Sequence, residues 1–309
     1  MAVLADLLRA AGLPGVVAVR RLTGRGFDNE VHAAELAGGR RVVLRRWRQQ
    51  REPEHIRAGF LQAHGVPVPP LLAGTGHASL HEFAPGTLLG DLIETGRASA
   101  ATWRLVGLAY RRVHDVRFPA GLAGEVQPHQ IVLRPLDPAV QLHASIEAAV
   151  PRLRRLVPEA LEHLPALHAL VDRAAPSLRT AGTSLCHGDP TMWNIVVGDD
   201  RAWLLDWDEP RIGDPAMEVA LLDTHASLFN AHGLDPAFFD GYGHPAAEPN
   251  TSLHRVVQTM RWATGPDWQS LEQQGLPADM RARTRGWLQV LLSHVARLPA
   301  HLERLSTLV

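Results

Sequence analysis

The sequence predicts an α+β protein with a small N-terminal lobe built on an antiparallel sheet and a larger, mainly helical C-terminal lobe. Short, partly β-branched segments separated by glycine-containing turns occupy much of residues 16–83. From residue 88 onward, apolar residues recur mostly at helical spacing. A chain of 309 residues is long enough to bury a large core and to form two lobes.

The first lobe is predicted to contain an amphipathic helix, five strands and a second helix. Leu4, Leu7 and Leu8 share one face of a helix within residues 1–13. The strands are predicted over Val16–Leu22, Asn29–Leu36, Arg41–Arg45, Leu71–Ala73 and Ser79–Phe83, and the second helix over Glu52–Gly65. The sequence Ala84-Pro85-Gly86 then breaks the pattern, so we expect an interlobe hinge within residues 81–87 and domains at 1–84 and 85–309.

The second lobe is predicted to be mostly helical. Helices are expected within residues 88–93, 103–114, 137–180 (two or three helices), 215–222, 251–264 and 278–306. Trp262 and Trp287 are expected to be buried between the closing helices.

The composition narrows the possible partners and compartment. The net charge is −1, which implies neither a nucleic-acid nor an anionic-membrane partner. No apolar run reaches transmembrane length. Cys186 is the single cysteine, so an internal disulfide is impossible and a cytoplasmic location fits. All 31 basic residues are arginine, which excludes a catalytic lysine.

Three polar residues, Asp189, Asn194 and Asp206, distinguish the segment 184–218. Four residues separate Asp189 from Asn194, which is the spacing of the kinase catalytic loop. In that loop the aspartate accepts a hydroxyl proton and the asparagine holds a metal ion. Asp206 follows a short apolar run, where kinases carry a metal-binding aspartate.

A β-hairpin is predicted to bring two of these side chains together. The turn at residues 198–201 joins two short apolar segments, and pairing Val197 with Ala202 places Asn194 and Asp206 at the same open end. Paired strands lie about 5 Å apart, so one cation could contact both side chains. Amide and carboxylate oxygens suit Mg²⁺. Asp208 either shares this end or points away.

The motif as a whole resembles the aminoglycoside phosphotransferase and choline kinase-like family. The resemblance rests on His187-Gly188-Asp189 with Asn194, on Leu205-Asp206-Trp207-Asp208, and on Gly213-Asp214-Pro215. It implies a protein-kinase-like fold and transfer of the γ-phosphoryl group of ATP (or GTP), with Mg²⁺, to a hydroxyl of a small molecule. Such acceptors include aminoglycosides, other antibiotics, amino alcohols and sugars.

In the first lobe, the resemblance assigns phosphate contacts to the loop that follows the first strand. Gly24, Gly26 and Asn29 are the candidates there. Arg45 occupies the place of the phosphate-holding lysine of kinases, with Arg46 as its rival on the opposite face of the strand.

The resemblance also implies a glutamate that pairs with this arginine and a backbone site for adenine. Glu54 is the expected glutamate and Glu52 the alternative; a first-turn glutamate that only favours the helix dipole is nearly as good an interpretation. Adenine is expected to bond to the backbone of Glu82, Phe83 and Ala84.

In the second lobe, the resemblance implies that Asp189 is the catalytic base. It also implies that Asn194 and Asp206 bind the metal ion, with Asp208 assisting. His187 is expected to shape the loop through hydrogen bonds. Asp214 is expected to brace the catalytic-loop backbone, to cap the following helix, or to do both.

Four other interpretations are possible. Protein kinases carry an arginine where this chain has Gly188, so a protein kinase is disfavoured. A Cys186–His187 nucleophile pair is disfavoured because neighbours on a strand point to opposite faces. A metallohydrolase using His187, Asp189 and Asp206 would need a second metal-binding cluster. A binding-only pseudokinase is the fourth, and the complete polar set counts against it.

The acceptor is not determined by the sequence. Asp223 and Asp267 are candidate acceptor contacts, and Trp262 with Trp268 could contribute to an aromatic cage for a choline-like cation. The protein is expected to be a monomer or a homodimer.

Overall fold

The computed structural model describes residues 2–22, 29–230, 232–243, 248–265 and 278–308. Its N-terminal part is an antiparallel five-stranded sheet in the order β1-β2-β3-β5-β4. The strands are β1 (Val16–Leu22), β2 (Asn29–Leu36), β3 (Arg41–Trp47), β4 (Leu71–Gly74) and β5 (Ala78–Glu82). Helix α1 (Ala2–Ala10) packs its leucines against the sheet, and α2 (His55–Ala63) lies between β3 and β4.

The remainder is mainly helical, as predicted. Its helices are α3 (Leu89–Glu94), α4 (Ala100–His114), α5 (Pro138–Leu156), α6 (Leu164–Thr180), α7 (Pro215–Ser227), α8 (Pro236–Tyr242), α9 (Glu248–Thr264), α10 (Ala278–Ala296) and α11 (Leu298–Ser306). A 3₁₀ helix, Pro158–His163, joins α5 to α6. Among the described residues, every helix is too short or too polar to span a membrane.

Two small sheets lie within the mainly helical part. Strands β11 (Ile195–Val197) and β12 (Ala202–Leu204) form a hairpin, and β6 (Thr87–Leu88) pairs with its outer edge. The second sheet has the order β7-β10-β13-β8-β9. Its strands are β7 (Arg117–Phe118), β8 (Leu122–Val126), β9 (Ile131–Pro135), β10 (Thr183–Cys186) and β13 (Arg211–Gly213).

The predicted fold class is confirmed, and several elements were missed. Helix α7 continues five residues beyond the predicted end at Leu222. Strands β8 and β9 and helix α8 were not predicted, because short strands that are partly exposed and a seven-residue helix carry little periodicity.

Helices α4 and α8 meet backbone to backbone, and α4 also contacts β10, the strand that precedes the loop at residues 187–194 (predicted to be the catalytic loop). A Cβ added at Gly107 of α4 would lie 2.0 Å from the Phe238 carbonyl oxygen, and one at Gly241 of α8 would lie 2.1 Å from the Arg104 carbonyl oxygen. Because only glycine tolerates such approach, these two positions set the separation of the helices. His114 and Tyr242, at the ends of α4 and α8, are thereby brought together.

Candidate active site

The hairpin forms with the predicted register and brings the polar motif together. Val197 pairs with Ala202, and Ile195 pairs with Leu204. At the open end, Leu205 N–H donates to the Asn194 carbonyl oxygen at 2.7 Å. Asn194 and Asp206 therefore begin and end the same hairpin, as the sequence predicted.

Asp189 and Asn194 are in direct contact. The Asn194 side-chain amide nitrogen donates to Asp189 Oδ2 at 2.8 Å and to the Asp189 carbonyl oxygen at 3.1 Å. Because the nitrogen makes both contacts, the amide oxygen of Asn194 is left as an acceptor for a cation. The Asp189 carboxylate is held at the cleft surface by these bonds.

Arg45 joins the N-terminal sheet to the carboxylates of the helical part. Its Nη1 and Nη2 atoms bind Asp208 Oδ1 and Oδ2, each at 2.8 Å, and Nη2 also contacts Asp206 Oδ1 at 2.5 Å. Asp208 therefore shares the open end of the hairpin with Asp206. Arg46 lies on the opposite face of β3 and pairs with Glu30.

The two carboxylates occupy different electrostatic environments. Burial raises the pKa of Asp206, and the neighbouring Asp208 adds to this effect, although Arg45 acts against it. Burial also opposes ionisation of Asp208, but Arg45 and Arg51 outweigh it and lower the pKa of Asp208. The two pKa shifts differ in direction because the positive charges of the arginines act more strongly on Asp208 than on Asp206.

Asp206 has an unusual backbone. Its φ angle is 62°, and among the described residues it is the only non-glycine residue with positive φ. Such a conformation costs of order 1–3 kcal/mol and persists only where neighbouring structure imposes it. The buried Trp207 helps to impose it, because its Nε1–H donates to the Leu204 carbonyl oxygen at 3.0 Å.

Further charged side chains of the N-terminal part lie around Asp208. Arg51 bonds the Asp208 carboxylate, and Arg57 donates to its main-chain oxygen at 2.8 Å. Glu54 pairs with Arg57 at 2.7 Å, and its other oxygen lies 3.6 Å from His81 Nε2. Glu54 is thus buried within this charge cluster and also acts on Arg45 through its charge.

Glu52, the alternative to Glu54, lies elsewhere. It is exposed and pairs with His129. The described contacts therefore favour Glu54 as the acidic group that influences Arg45.

His187 shapes the catalytic loop, as its position suggested. Its Nε2–H donates to the Leu205 carbonyl oxygen at 2.6 Å, and its Nδ1 accepts from Asp189 N–H at 3.3 Å. Both ring nitrogens are engaged, so His187 is not available to bind a metal. The following Gly188 has a φ angle of 88°, and a Cβ there would lie 2.2 Å from the Glu209 carbonyl oxygen.

Glu218 braces the loop backbone, which was one of the two roles expected of Asp214. The Glu218 oxygens accept from His187 N–H and Gly188 N–H, each at 2.9 Å. Asp214 instead caps α7 through Ala216 N–H at 2.8 Å and bonds His254 Nε2 at 3.0 Å. Asp214 therefore has the capping role that was one of the two expected for it, and the described bonds to the His187 and Gly188 N–H groups come from Glu218.

A buried chain of polar groups extends behind Glu218. His114 Nε2 bonds Glu218 at 2.9 Å, and His114 Nδ1 bonds the Tyr242 hydroxyl at 2.6 Å. Burial opposes ionisation of Glu218, but the hydrogen bond and charge of His114 outweigh it and lower its pKa. Glu218 is therefore a carboxylate at neutral pH and holds the loop through charge-assisted bonds.

Comparison with known proteins identifies the family. A model of a phosphotransferase enzyme family matches residues 19–255. The chain belongs to this family. No curated protein matches the sequence.

Solved structures share the fold of this phosphotransferase-family chain at low identity. A choline/ethanolamine kinase family protein from Mesorhizobium loti has 19% identity and a TM-score of 0.62, over 99% of this chain and 100% of that chain. A thermostable mutant of aminoglycoside phosphotransferase APH(4)-Ia, in ternary complex with AMP-PNP and hygromycin B, has 18% identity and a TM-score of 0.64, with coverage of 97% and 99%. Plasmodium vivax ethanolamine kinase has 14% identity and a TM-score of 0.56, with coverage of 89% and 82%.

The remaining predicted nucleotide contacts of this phosphotransferase-family chain are described only in part. Gly24 and Gly26 lie outside the described residues, and Asn29 begins β2. At the predicted hinge, Glu82 N–H donates to the Pro70 carbonyl oxygen at 2.9 Å, and Phe83 N–H to the Arg41 carbonyl oxygen at 3.4 Å.

Asp223, one of the two residues predicted to contact the acceptor, bonds other residues of the helical part. Asp223 Oδ1 accepts from Leu234 N–H at 2.8 Å, and its Oδ2 pairs with Arg255 at 2.6 Å. These contacts give Asp223 a structural role. Asp267 lies outside the described residues.

An aromatic cluster lies next to the catalytic loop and was not predicted as a unit. Trp193, in the 3₁₀ turn before β11, is T-shaped against Phe229, and His225 stacks on Trp262 with ring centroids 5.6 Å apart. The ring centroids of Trp287 and Phe229 are 5.6 Å apart. The expectation that Trp262 and Trp287 are buried is wrong, since both remain partly exposed.

His225 connects this aromatic cluster to the loop. Its Nδ1 accepts from Met192 N–H at 3.1 Å. Burial lowers the pKa of His225 to about 3, so the ring is neutral at physiological pH.

The residues present fit a magnesium ion. The carboxylates of Asp206 and Asp208 converge on one cationic group, the Arg45 guanidinium. The Asn194 amide oxygen, at the same open end of the hairpin, is a third candidate oxygen ligand. Oxygen donors with net negative charge are the ligands that Mg²⁺ prefers.

Cys186 is not a nucleophile in this site. It is buried, and burial raises the pKa of its thiol well above the ordinary value. A thiol that stays protonated cannot attack, so the alternative of cysteine-based acyl transfer is disfavoured.

Substitution of Glu54 tests the charge cluster through its pH dependence. Burial alone would raise the pKa of Glu54, but His81 and Arg57 lower it from 4.5 to about 2. The stability that Glu54 provides is therefore present above pH 4.5 and is lost as the pH falls through about 2. Glu54→Gln should lower the free energy of unfolding by up to roughly 3 kcal/mol near neutral pH.

Urea unfolding of the native protein and of Glu54→Gln across the acidic range checks this. The stability difference should shrink as the pH decreases below 4.5. Glu52→Gln is the matched control, because Glu52 is exposed, and it should change stability little at any pH. A Glu54→Gln difference that does not vary with pH would contradict the assignment.

Proposed function

We propose that the protein transfers the γ-phosphoryl group of ATP to a hydroxyl of a small molecule. The observation that carries this proposal is the contact of Asp189 with Asn194 beside the convergent carboxylates of Asp206 and Asp208. These are the groups that phosphoryl transfer requires: a base for the hydroxyl and oxygen donors for the metal. Membership of a phosphotransferase family supports the same chemistry.

In the proposed mechanism, Asp189 accepts the proton of the acceptor hydroxyl and orients its oxygen toward the phosphoryl group. The Asn194 bond at 2.8 Å fixes the carboxylate for this task. Asn194, Asp206 and Asp208 would hold Mg²⁺, which when bound neutralises charge on the phosphates. Arg45 would orient the phosphates, and its planar fork suits oxyanions.

Nucleotide binding is proposed in the cleft beneath β3, with domains at residues 1–84 and 85–309. The N–H groups of Glu82 and Phe83 are engaged within the sheet, which favours the backbone of Ala84 as the adenine contact. AMP-PNP in the structurally similar APH(4)-Ia complex supports a nucleotide in this fold. Gly24, Gly26 and Asn29 remain candidates for phosphate contact.

The acceptor is proposed to bind against the aromatic cluster beside Asp189. Partly exposed tryptophan faces stack on flat groups and attract cations, so the acceptor is expected to carry an apolar or cationic group near its hydroxyl. Hygromycin B in one similar structure and the choline/ethanolamine kinase family name of another agree with a small hydroxyl acceptor.

Replacement of the proposed base tests the transfer reaction. With labelled ATP, Mg²⁺ and pools of quaternary-ammonium alcohols, aromatic alcohols, aminoglycosides and sugars, the native protein should label one pool. Asp189→Asn should reduce kcat by at least about 100-fold while nucleotide affinity stays near the native value, because the base acts only on the hydroxyl. Asp199→Asn, in the exposed hairpin turn, is the matched control and should retain native activity.

Two results would contradict this proposal. Nucleotide binding without transfer to any pool would favour the binding-only pseudokinase. Equal activity in Asp189→Asn and Asp199→Asn would remove Asp189 from the mechanism.

The two neighbouring arginines of β3 provide a second test. Arg45→Lys keeps the charge but loses the fork that spans both carboxylates, so kcat/KM for ATP should fall about 10–100-fold. Arg46→Lys, on the outward face of the strand, should change kcat/KM less than about twofold. Steady-state kinetics with varied ATP compares the two, and a larger loss in Arg46→Lys would reverse the assignment.

A further inference from the structure

Helices α5 and α6 carry a symmetric set of four titratable side chains that the phosphotransferase site does not use. His143 and Glu147 are one turn apart on α5, and His168 and Asp172 are one turn apart on α6. His143 Nε2 bonds Asp172 at 3.0 Å, and His168 Nε2 lies 3.0 Å from Glu147. Each histidine is thus held by a carboxylate of the opposite helix. We call this set the histidine clasp.

The two histidines meet through their inner nitrogens. The Nδ1 atoms are 2.6 Å apart, the ring planes are inclined by 14°, and the ring centroids are 4.9 Å apart. The rings therefore meet head-on, nearly in one plane, with both inner nitrogens aimed at the same point.

The contacts constrain where the ring protons lie. A carboxylate only accepts, so the Nε2 atom of His143, which bonds Asp172, must carry a hydrogen. The short Nδ1–Nδ1 contact then needs one further proton between two nitrogens that would otherwise both present lone pairs. One proton is therefore shared between the two inner ring nitrogens, and a carboxylate lies beside each ring.

We propose that the clasp is a binding site for a transition-metal ion such as Cu²⁺, Ni²⁺ or Zn²⁺, which replaces this shared proton. Imidazole nitrogen is a favoured ligand of these ions. A histidine that binds a metal usually donates its other ring N–H to a carboxylate, which orients the ring and raises its basicity. His143 already has this arrangement with Asp172, and the Glu147 carboxylate lies 3.0 Å from the Nε2 atom of His168.

The geometry can accommodate the ion with a small change. Metal–nitrogen distances near 2.0–2.1 Å require the nitrogens, now 2.6 Å apart, to separate by roughly 0.7 Å at a tetrahedral angle and roughly 1.5 Å in a linear arrangement. The side chains of His143 and His168 are 29% and 24% exposed, so the rings can rotate and solvent can complete the coordination. The two nitrogen ligands also give this site a different metal preference from that of the cleft, whose oxygen ligands suit Mg²⁺.

Copper binding to the full-length protein tests the proposal. In the presence of excess Mg²⁺, one Cu²⁺ should bind per chain with an electron paramagnetic resonance spectrum that shows coupling to two imidazole nitrogens. His143→Ala with His168→Ala should abolish that spectrum and weaken Cu²⁺ binding, measured by calorimetry, at least about 100-fold. The matched control is His294→Ala with His301→Ala, which removes a second close histidine pair of the described residues, with ring centroids 6.1 Å apart, and should leave the spectrum unchanged.

The carboxylate variants test the outer contacts and do not depend on the double variant folding. Glu147→Gln and Asp172→Asn should each weaken Cu²⁺ binding about 10–100-fold and keep the two-nitrogen spectrum. The proposal is overturned if the native protein gives no two-nitrogen spectrum, if the spectrum survives loss of both clasp histidines, or if the carboxylate variants bind Cu²⁺ as tightly as the native protein.

Discussion

The bonds from Arg45 to Asp206 and Asp208 are the interaction on which the cleft depends. Arg45 is carried by a central strand of the N-terminal sheet, whereas both carboxylates follow the hairpin of the helical part. A bidentate guanidinium–carboxylate pair fixes direction as well as distance, so it sets how the two parts face each other across the cleft. Removing these charged groups from water costs free energy. A second cation bound to Asp208, Arg51, offsets that cost. The same carboxylates that hold the parts together are those that would face a nucleotide-bound metal.

Rigid support on the helical side makes this arrangement possible. Asp206 lies in a backbone conformation that is costly for a non-glycine residue, and the catalytic loop passes through Gly188 at positive φ. Glu218 binds two successive loop N–H groups, and His114 binds Glu218 from behind. Because this network is buried and each of these groups has a partner, small displacements of the loop would leave charges unsatisfied. These bonds therefore restrict displacement of the loop.

The sequence predicted the parts of the site that depend on local pattern. The hairpin register followed from two apolar segments around a turn, and that register alone placed Asn194 beside Asp206. Whether Asp214 or Glu218 braces the loop depends on how α7 lies against β10, and both residues lie near the start of the same helix. The partial exposure of Trp262 depends on packing among three helices, so helical periodicity suggested a core residue instead. Strand β8 pairs with β13, which is distant in sequence and lies outside any local window, and β9 is the edge strand that pairs with β8.

The most direct test of the central claim is the effect of Mg²⁺ on the affinity for a non-hydrolysable ATP analogue. Calorimetry should be performed with and without Mg²⁺ on the native protein and on Asp206→Asn. If the convergent carboxylates hold a nucleotide-bound metal, Mg²⁺ should strengthen native binding at least about tenfold, and Asp206→Asn should lose most of that gain. An affinity that does not depend on Mg²⁺, or an equal gain in Asp206→Asn, would contradict the assignment of this cleft as a metal–nucleotide site.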